Sequence, residues 1–179
     1  MEEKFRQLSE LGAGDFEHLD GSLIDHLNGT KALLERWAAS KELQDAGLYH
    51  AAYGTAGFSE HLVATSQRHK IAGIIGKRAE SIVYLYCACD RDFFWPQFGK
   101  SEPLVFKNRF NEESFQPSTE QVKDFCELTV ANELEIAQGN SGFIEQSGAF
   151  LLALFTNMRP WLSKNANLSV HQVLGGVNA

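Results

Sequence analysis

Residues 23–37 read LIDHLNGTKALLERW, and after Ala38, Ala39 and Ser40 the chain continues KELQDAGLYHAAYGTAGF over residues 41–58. In the first segment the apolar positions 23, 27, 34 and 37, with the methyl of Thr30, trace one face of an α-helix. Ser22 stands where an N-cap belongs. Asp25 follows three positions on, in the first turn, where a carboxylate favours the helix dipole. Ser40 caps a second helix carrying Leu43, Ala46, Gly47 and Tyr49. A glycine inside a helix costs about 1 kcal/mol against alanine, so Gly47 predicts a close helix crossing. Such a crossing brings His50 near the first helix, where His26 lies on the edge of the apolar stripe, and two imidazoles then converge.

Working outward, Phe5, Leu8 and Leu11 have helical spacing, and Gly12 to Gly14 end that helix. Residues 15–21 read as a loop. On the other side Gly54 and Gly57 break the pattern, so 53–58 is a loop, with Ser59 as the next cap. Residues 71–75 form a short helix stopped by Gly76. Arg78 to Asp90 is a strongly apolar buried helix. Residues 92–115 are an aromatic-rich excursion with a small hairpin around 104–110. Ser118 and Gln121 make a capping box for a helix from Thr119 to about Gln138. A turn over 139–142 leads to a helix over 143–162, bent near Pro160, and the tail from Asn165 is polar and loosely held. No repeat or linker interrupts the pattern. The expected fold is all-α, a single domain over 1–179.

The chain has 179 residues, 44% hydrophobic and 22% charged, with a net charge of −7. That balance excludes a nucleic-acid backbone as the main partner, which needs a basic surface. It allows a small anionic ligand met locally by a metal or one arginine. The longest apolar stretches, 82–88 and 150–155, are too short to span a bilayer, and no signal peptide is visible. Cys87, Cys89 and Cys126 read as buried reduced thiols, so the expected setting is cytoplasmic, with no membrane partner.

Four of the six histidines, His18, His26, His50 and His61, fall in the first third of the chain. With Asp90 at the end of the 78–90 helix, the order is His, His, Asp on three separate helices, an arrangement in which a helical scaffold can hold a transition metal. The bland alternative is that each histidine is a hydrogen-bonded core residue. Asn132, Glu133 and Glu135, on the late helix, read as structural. The aromatics of 93–115 read as a satellite core, a wall over the pocket, or a homodimer contact.

The pattern resembles the HD-domain superfamily, and within it the hydrolase domain of the bifunctional guanosine tetraphosphate enzymes. The resemblance is carried by His26, by Ala46 to His50, by Ala51 to Thr55, by Ile71 to Gly76 and by Asp90, over about residues 20–92. The His-x-x-Tyr-Gly-Thr element at 50–55 is also similar to one in an uncharacterised bacterial family. The resemblance implies an HD-like helical bundle and a divalent transition metal (Mn, Fe, Zn or Ni) on His26, His50 and Asp90. His18 or His61 would be a third nitrogen. It further implies a phosphohydrolase of a small phosphorylated or anionic metabolite, using metal-bound water, with Asp25, Tyr53, Thr55 and Arg91 as polar helpers. The departures are pointed. Ala51 stands where the superfamily has its metal-bridging aspartate, and Tyr53 and Gly54 stand where the tetraphosphate hydrolases have their acidic pair. Two alternatives therefore stay open: a degenerate HD-like domain that binds a ligand or partner protein without turnover, and a mononuclear-metal oxygenase or lyase.

Overall fold

Gly47 is where two helices touch. In the computed structural model, which describes residues 3–11, 17–18 and 21–177, α2 (Leu23–Arg36) and α3 (Lys41–Tyr49) cross there. A Cβ on Gly47 would stand 2.6 Å from Leu34 Cδ1 and 3.5 Å from Lys31 Cα. Both caps form as the spacing predicts: Ser22 Oγ accepts from the Asp25 backbone N–H, and Ser40 Oγ from that of Leu43, each at 3.2 Å. The predicted stripe is buried in full, since Leu23, Leu27, Thr30, Leu34 and Trp37 all lie in the core.

Around this pair stand α1 (Glu3–Glu10), α4 (Arg68–Ile75), α5 (Lys77–Ala88), the single turn α6 (Arg91–Phe94), α7 (Thr119–Gly139), α8 (Ser141–Met158) and α9 (Lys164–Leu174). Gly76 joins α4 to α5 at φ 87°, a conformation glycine adopts without strain. Short antiparallel pairs are the only strands among the described residues, β1 (Glu17–His18) with β2 (Gly21–Ser22) and β3 (Phe106–Lys107) with β4 (Ser114–Phe115). The fold is all-α, with the expected hairpin lying over 106–115. α7 is the central helix and packs against α2, α3, α5, α8 and α9. Its start is the predicted capping box, Ser118 with Gln121.

Three expectations are corrected. Ser59 caps nothing, because the chain runs without regular structure until a 3₁₀ turn at Thr65–Gln67. The glycine-rich stretch after α7 is one residue of break, not a turn: Asn140 leaves the helix and its side chain caps α8 by accepting from Phe143 N–H at 2.7 Å. The tail is not loose. Ser163 caps α9 and gives Glu127 two hydrogen bonds, at 2.9 Å from its backbone N–H and 2.6 Å from its hydroxyl. Ala166, Val170 and Leu174 are buried, and Trp37 Nε1–H donates to Ser169 Oγ at 2.8 Å.

Candidate functional site

The α2–α3 crossing delivers what Gly47 predicts. His26 and His50 meet edge to face with ring centroids 5.1 Å apart. Both rings are buried, and both are anchored. His26 Nδ1 pairs with the Glu135 carboxylate, and Nε2–H donates to Asn132 Oδ1 at 3.1 Å. The amide is oriented by its other end, where Asn132 Nδ2 donates to Glu133 Oε1 at 3.0 Å. His50 Nδ1–H donates to the Gly47 carbonyl at 2.8 Å, so the helix end at the crossing also sets the His50 ring. The Tyr86 ring packs edge-on to His50 at 5.5 Å.

Both histidines open on a cavity of about 160 Å³. Its polar wall is His26, His50, Thr55, Arg91, Asn132 and Glu133, and its apolar wall is Leu23, Ala51, Phe58, Ile136 and Phe143, with Gly57 at the edge. The volume is comparable to about five waters of bulk liquid. Arg91 enters from α6 and lies by the Tyr86 and Trp95 rings, with its guanidinium carbon 5.3 Å and 5.0 Å from their centroids. It donates to Tyr86 Oη at 3.0 Å and approaches Glu133 Oε1 at 3.4 Å. Burial pushes the Glu133 carboxyl above the usual carboxylate range, against the opposing pull of Arg91, the Asn132 amide and His26. Desolvation likewise raises the Tyr86 hydroxyl.

Of the residues singled out in the sequence, His26, His50, Thr55 and Arg91 are brought to this cavity. Asp90 is not. α5 ends at Ala88, and the extended Cys89 turns the chain so that the Asp90 carboxylate caps α6 at the Phe93 N–H, 3.2 Å away, and pairs with Lys107 at 3.3 Å. Asp25 is exposed and accepts a hydrogen bond from the Ser22 hydroxyl at 2.6 Å, which is cap chemistry. Tyr53 donates to Glu80 Oε1 at 2.9 Å, and Arg68 grips the same carboxylate with two nitrogens at 2.6 and 2.8 Å. Tyr53 therefore belongs to a buried structural network. Thr55 Oγ1 accepts from Phe58 N–H at 3.1 Å and shapes the loop that roofs the cavity. His61 is exposed, and the His18 side chain lies outside the described residues.

Glu133 and Asn132, read from sequence as structural, form the cavity wall, and Glu135 holds His26. The signal available for them was a polar cluster in mid-helix between Ala131 and Ala137, a position whose neighbours on both sides are buried. Ala51 lines the cavity, so its methyl forms part of the apolar wall.

These residues do not fit the metal that the resemblance implies. Among the described residues no three His, Cys, Asp or Glu side chains stand together as a metal site requires. Asp90 is engaged elsewhere, and both His26 nitrogens face protein oxygens. Residues 7–91 match the model of a family described as a domain of unknown function, DUF6817. No curated protein and no solved structure matches the chain. Among the described residues no helix is long and apolar enough to cross a membrane.

Proposed function

We propose that the chain binds a small anionic molecule in the cavity between α2, α3 and α7, with Arg91 receiving its charged group and the His26–His50 pair forming the opposite polar wall. This is the ligand-binding alternative among the readings that the resemblance raises. The observation that carries it is Arg91 itself: a guanidinium with a side-chain exposure of only 14%, close to two aromatic rings and lining a small cavity with His26 and His50. Burying a cation is costly unless something answers its charge. Glu133 answers it only at 3.4 Å, a long contact for a buried pair. An enclosed arginine beside two anchored imidazoles suits a carboxylate or another compact anion.

A thermal-shift and calorimetric screen of acetate, glycolate and inorganic phosphate tests this. At a tenfold excess over Kd a binder stabilises by about 1.4 kcal/mol, a rise of roughly 3–6 °C for a chain of this size. Arg91→Gln removes the shift. Flat melting curves with all three anions, or shifts that survive Arg91→Gln, would sink the reading. Elemental analysis of the same preparation weighs the metal-dependent phosphohydrolase expectation: one bound metal per chain, lost on His26→Ala, would put that reading in place of this one.

A further inference from the structure

Glu133 faces a defined set of groups. From its own helix comes the Asn132 amide, from α6 the Arg91 guanidinium, from α2 the His26 ring, from α5 the Tyr86 hydroxyl that accepts from Arg91, and from α3 the His50 ring across the cavity. Glu135, two residues further along α7, is taken by His26. Glu133 is therefore the counter-charge of Arg91, while the Glu135 carboxylate pairs with His26 Nδ1.

An anion arriving at Arg91 breaks this balance. Arg91 and Glu133 stand 3.4 Å apart on the wall of one cavity, so an anion held by Arg91 sits close enough to Glu133 for the two like charges to oppose each other's ionisation. One guanidinium cannot answer two carboxylates in a desolvated space, and an uncompensated buried charge is relieved by protonation. Glu135 is the poorer acceptor of that proton, since its side chain is 26% exposed and already engaged by His26. Glu133 is 10% exposed at its side chain and forms the cavity wall.

We infer that the ligand is a small monocarboxylate and that it enters together with one proton, which lodges on Glu133. The inference rests on the binding reading above and gives it a ligand class. In the bound state the Arg91 N–H groups turn from Glu133 to the ligand carboxylate. Glu133, now a neutral acid, keeps accepting from Asn132 and gains an O–H to donate. One anion and one proton enter, so the net charge inside is unchanged. An obligate dianion leaves a negative charge uncompensated and is refused. Burial already favours the neutral form of this carboxyl, in the direction the coupling needs.

Calorimetry of acetate binding to the full chain, at one pH near neutrality in HEPES and in Tris, reads the proton count from the change in observed enthalpy with buffer ionisation enthalpy. The expected result is an uptake between about 0.5 and 1 proton per acetate, with affinity falling up to tenfold per pH unit as pH rises. Sulfate binds at least tenfold more weakly than acetate. Glu133→Gln, a neutral isostere of the protonated acid, keeps acetate affinity, abolishes proton uptake and flattens the pH profile. Acetate binding without uptake overturns the inference and leaves the binding reading standing. Uptake that persists in Glu133→Gln puts the proton elsewhere and also overturns it. Failure of acetate, glycolate and phosphate alike to bind removes the binding reading itself. Should Glu133→Gln fail to fold, the wild-type proton count and the acetate-to-sulfate ratio decide alone.

Discussion

Gly29 lies under the Glu135 side chain, and this predicts a substitution whose effect on stability changes sign with its background. A Cβ at Gly29 would stand 2.6 Å from Glu135 Oε1, 2.8 Å from Cγ and 3.0 Å from Cδ. Glu135 must therefore move when Gly29 becomes alanine, and moving takes its carboxylate off His26 Nδ1. A hydrogen bond to a charged group contributes about 1.5–3 kcal/mol. Replacing a helix-interior glycine with alanine returns about 0.8–1.0 kcal/mol of helix propensity. The expected net effect of Gly29→Ala is thus a loss of roughly 0.5–2 kcal/mol. In a Glu135→Ala background the obstacle is gone and the His26 bond already lost, so only propensity acts. There Gly29→Ala stabilises by about 1 kcal/mol. Urea denaturation of the four proteins closes the cycle, and the coupling between the two sites is the difference of the paired effects. If Gly29→Ala has the same sign and size in both backgrounds, Glu135 does not rest on Gly29 and the picture of its anchoring is wrong.

Gly47→Ala should cost stability by about 0–2 kcal/mol, because overpacking against Leu34 outweighs the propensity gain; a gain of a full 1 kcal/mol in urea denaturation would deny the close crossing. Raising pH should weaken the protein through Glu133. Its folded carboxyl titrates above the unfolded one, so the folded state binds more protons between the two values and the stability contributed there is lost as pH climbs. The stability of Glu133→Gln relative to wild type should therefore rise with pH above the ordinary glutamate range, and a flat or falling difference in pH-dependent denaturation would refute this. Desolvation pushes the Cys87 thiol up to about 12 and raises Cys89 and Cys126 as well. A thiol reagent at neutral pH should label none of the three in the native protein and all three in urea; fast native labelling would contradict their burial. Gly57→Leu should abolish anion-induced thermal shifts with under about 1 kcal/mol of change in stability. Its Cβ meets only Arg91 Nη1, at 3.5 Å, so the added side chain fills the cavity edge rather than the core.

What was legible in the sequence was local chemistry. The caps at Ser22, Ser40 and Ser118 depend on residues three apart, and each forms. The crossing at Gly47 could be read because a glycine in mid-helix needs a reason, and the reason is Leu34. What was not legible depended on partners far along the chain. α9 offers only Ala166, Val170 and Leu174 in a polar run, and its place is set by Glu127 and Trp37. Asp90 reads as a site residue only if the 78–90 helix continues to it. The helix ends two residues earlier, and a carboxylate just past a helix end finds a new N-terminus to cap. Glu133 reads as structural from the sequence because the face it presents is decided by α2 and α6, whose approach to α7 no local pattern encodes.

The division of labour within α7 explains why the cavity exists at all. Phe125, Leu128 and Leu134 bury in the core and tie the helix to its neighbours, while Asn132, Glu133 and Ile136 fall on the stretch that α2, α3 and α6 leave incompletely filled. Had that stretch been apolar, His26 would have lost both of its anchors and Arg91 its counter-charge, and a buried guanidinium without one is costly. Removing one partner of such a pair typically costs several kcal/mol, whereas replacing the whole set with packed apolar groups can be neutral or stabilising. Six polar groups gathered around a small cavity are thus a poor way to hold four helices together. The proposed binding of an anion would account for their presence, and Gly29 beneath Glu135 and Gly47 beneath His50 are the positions that hold them still.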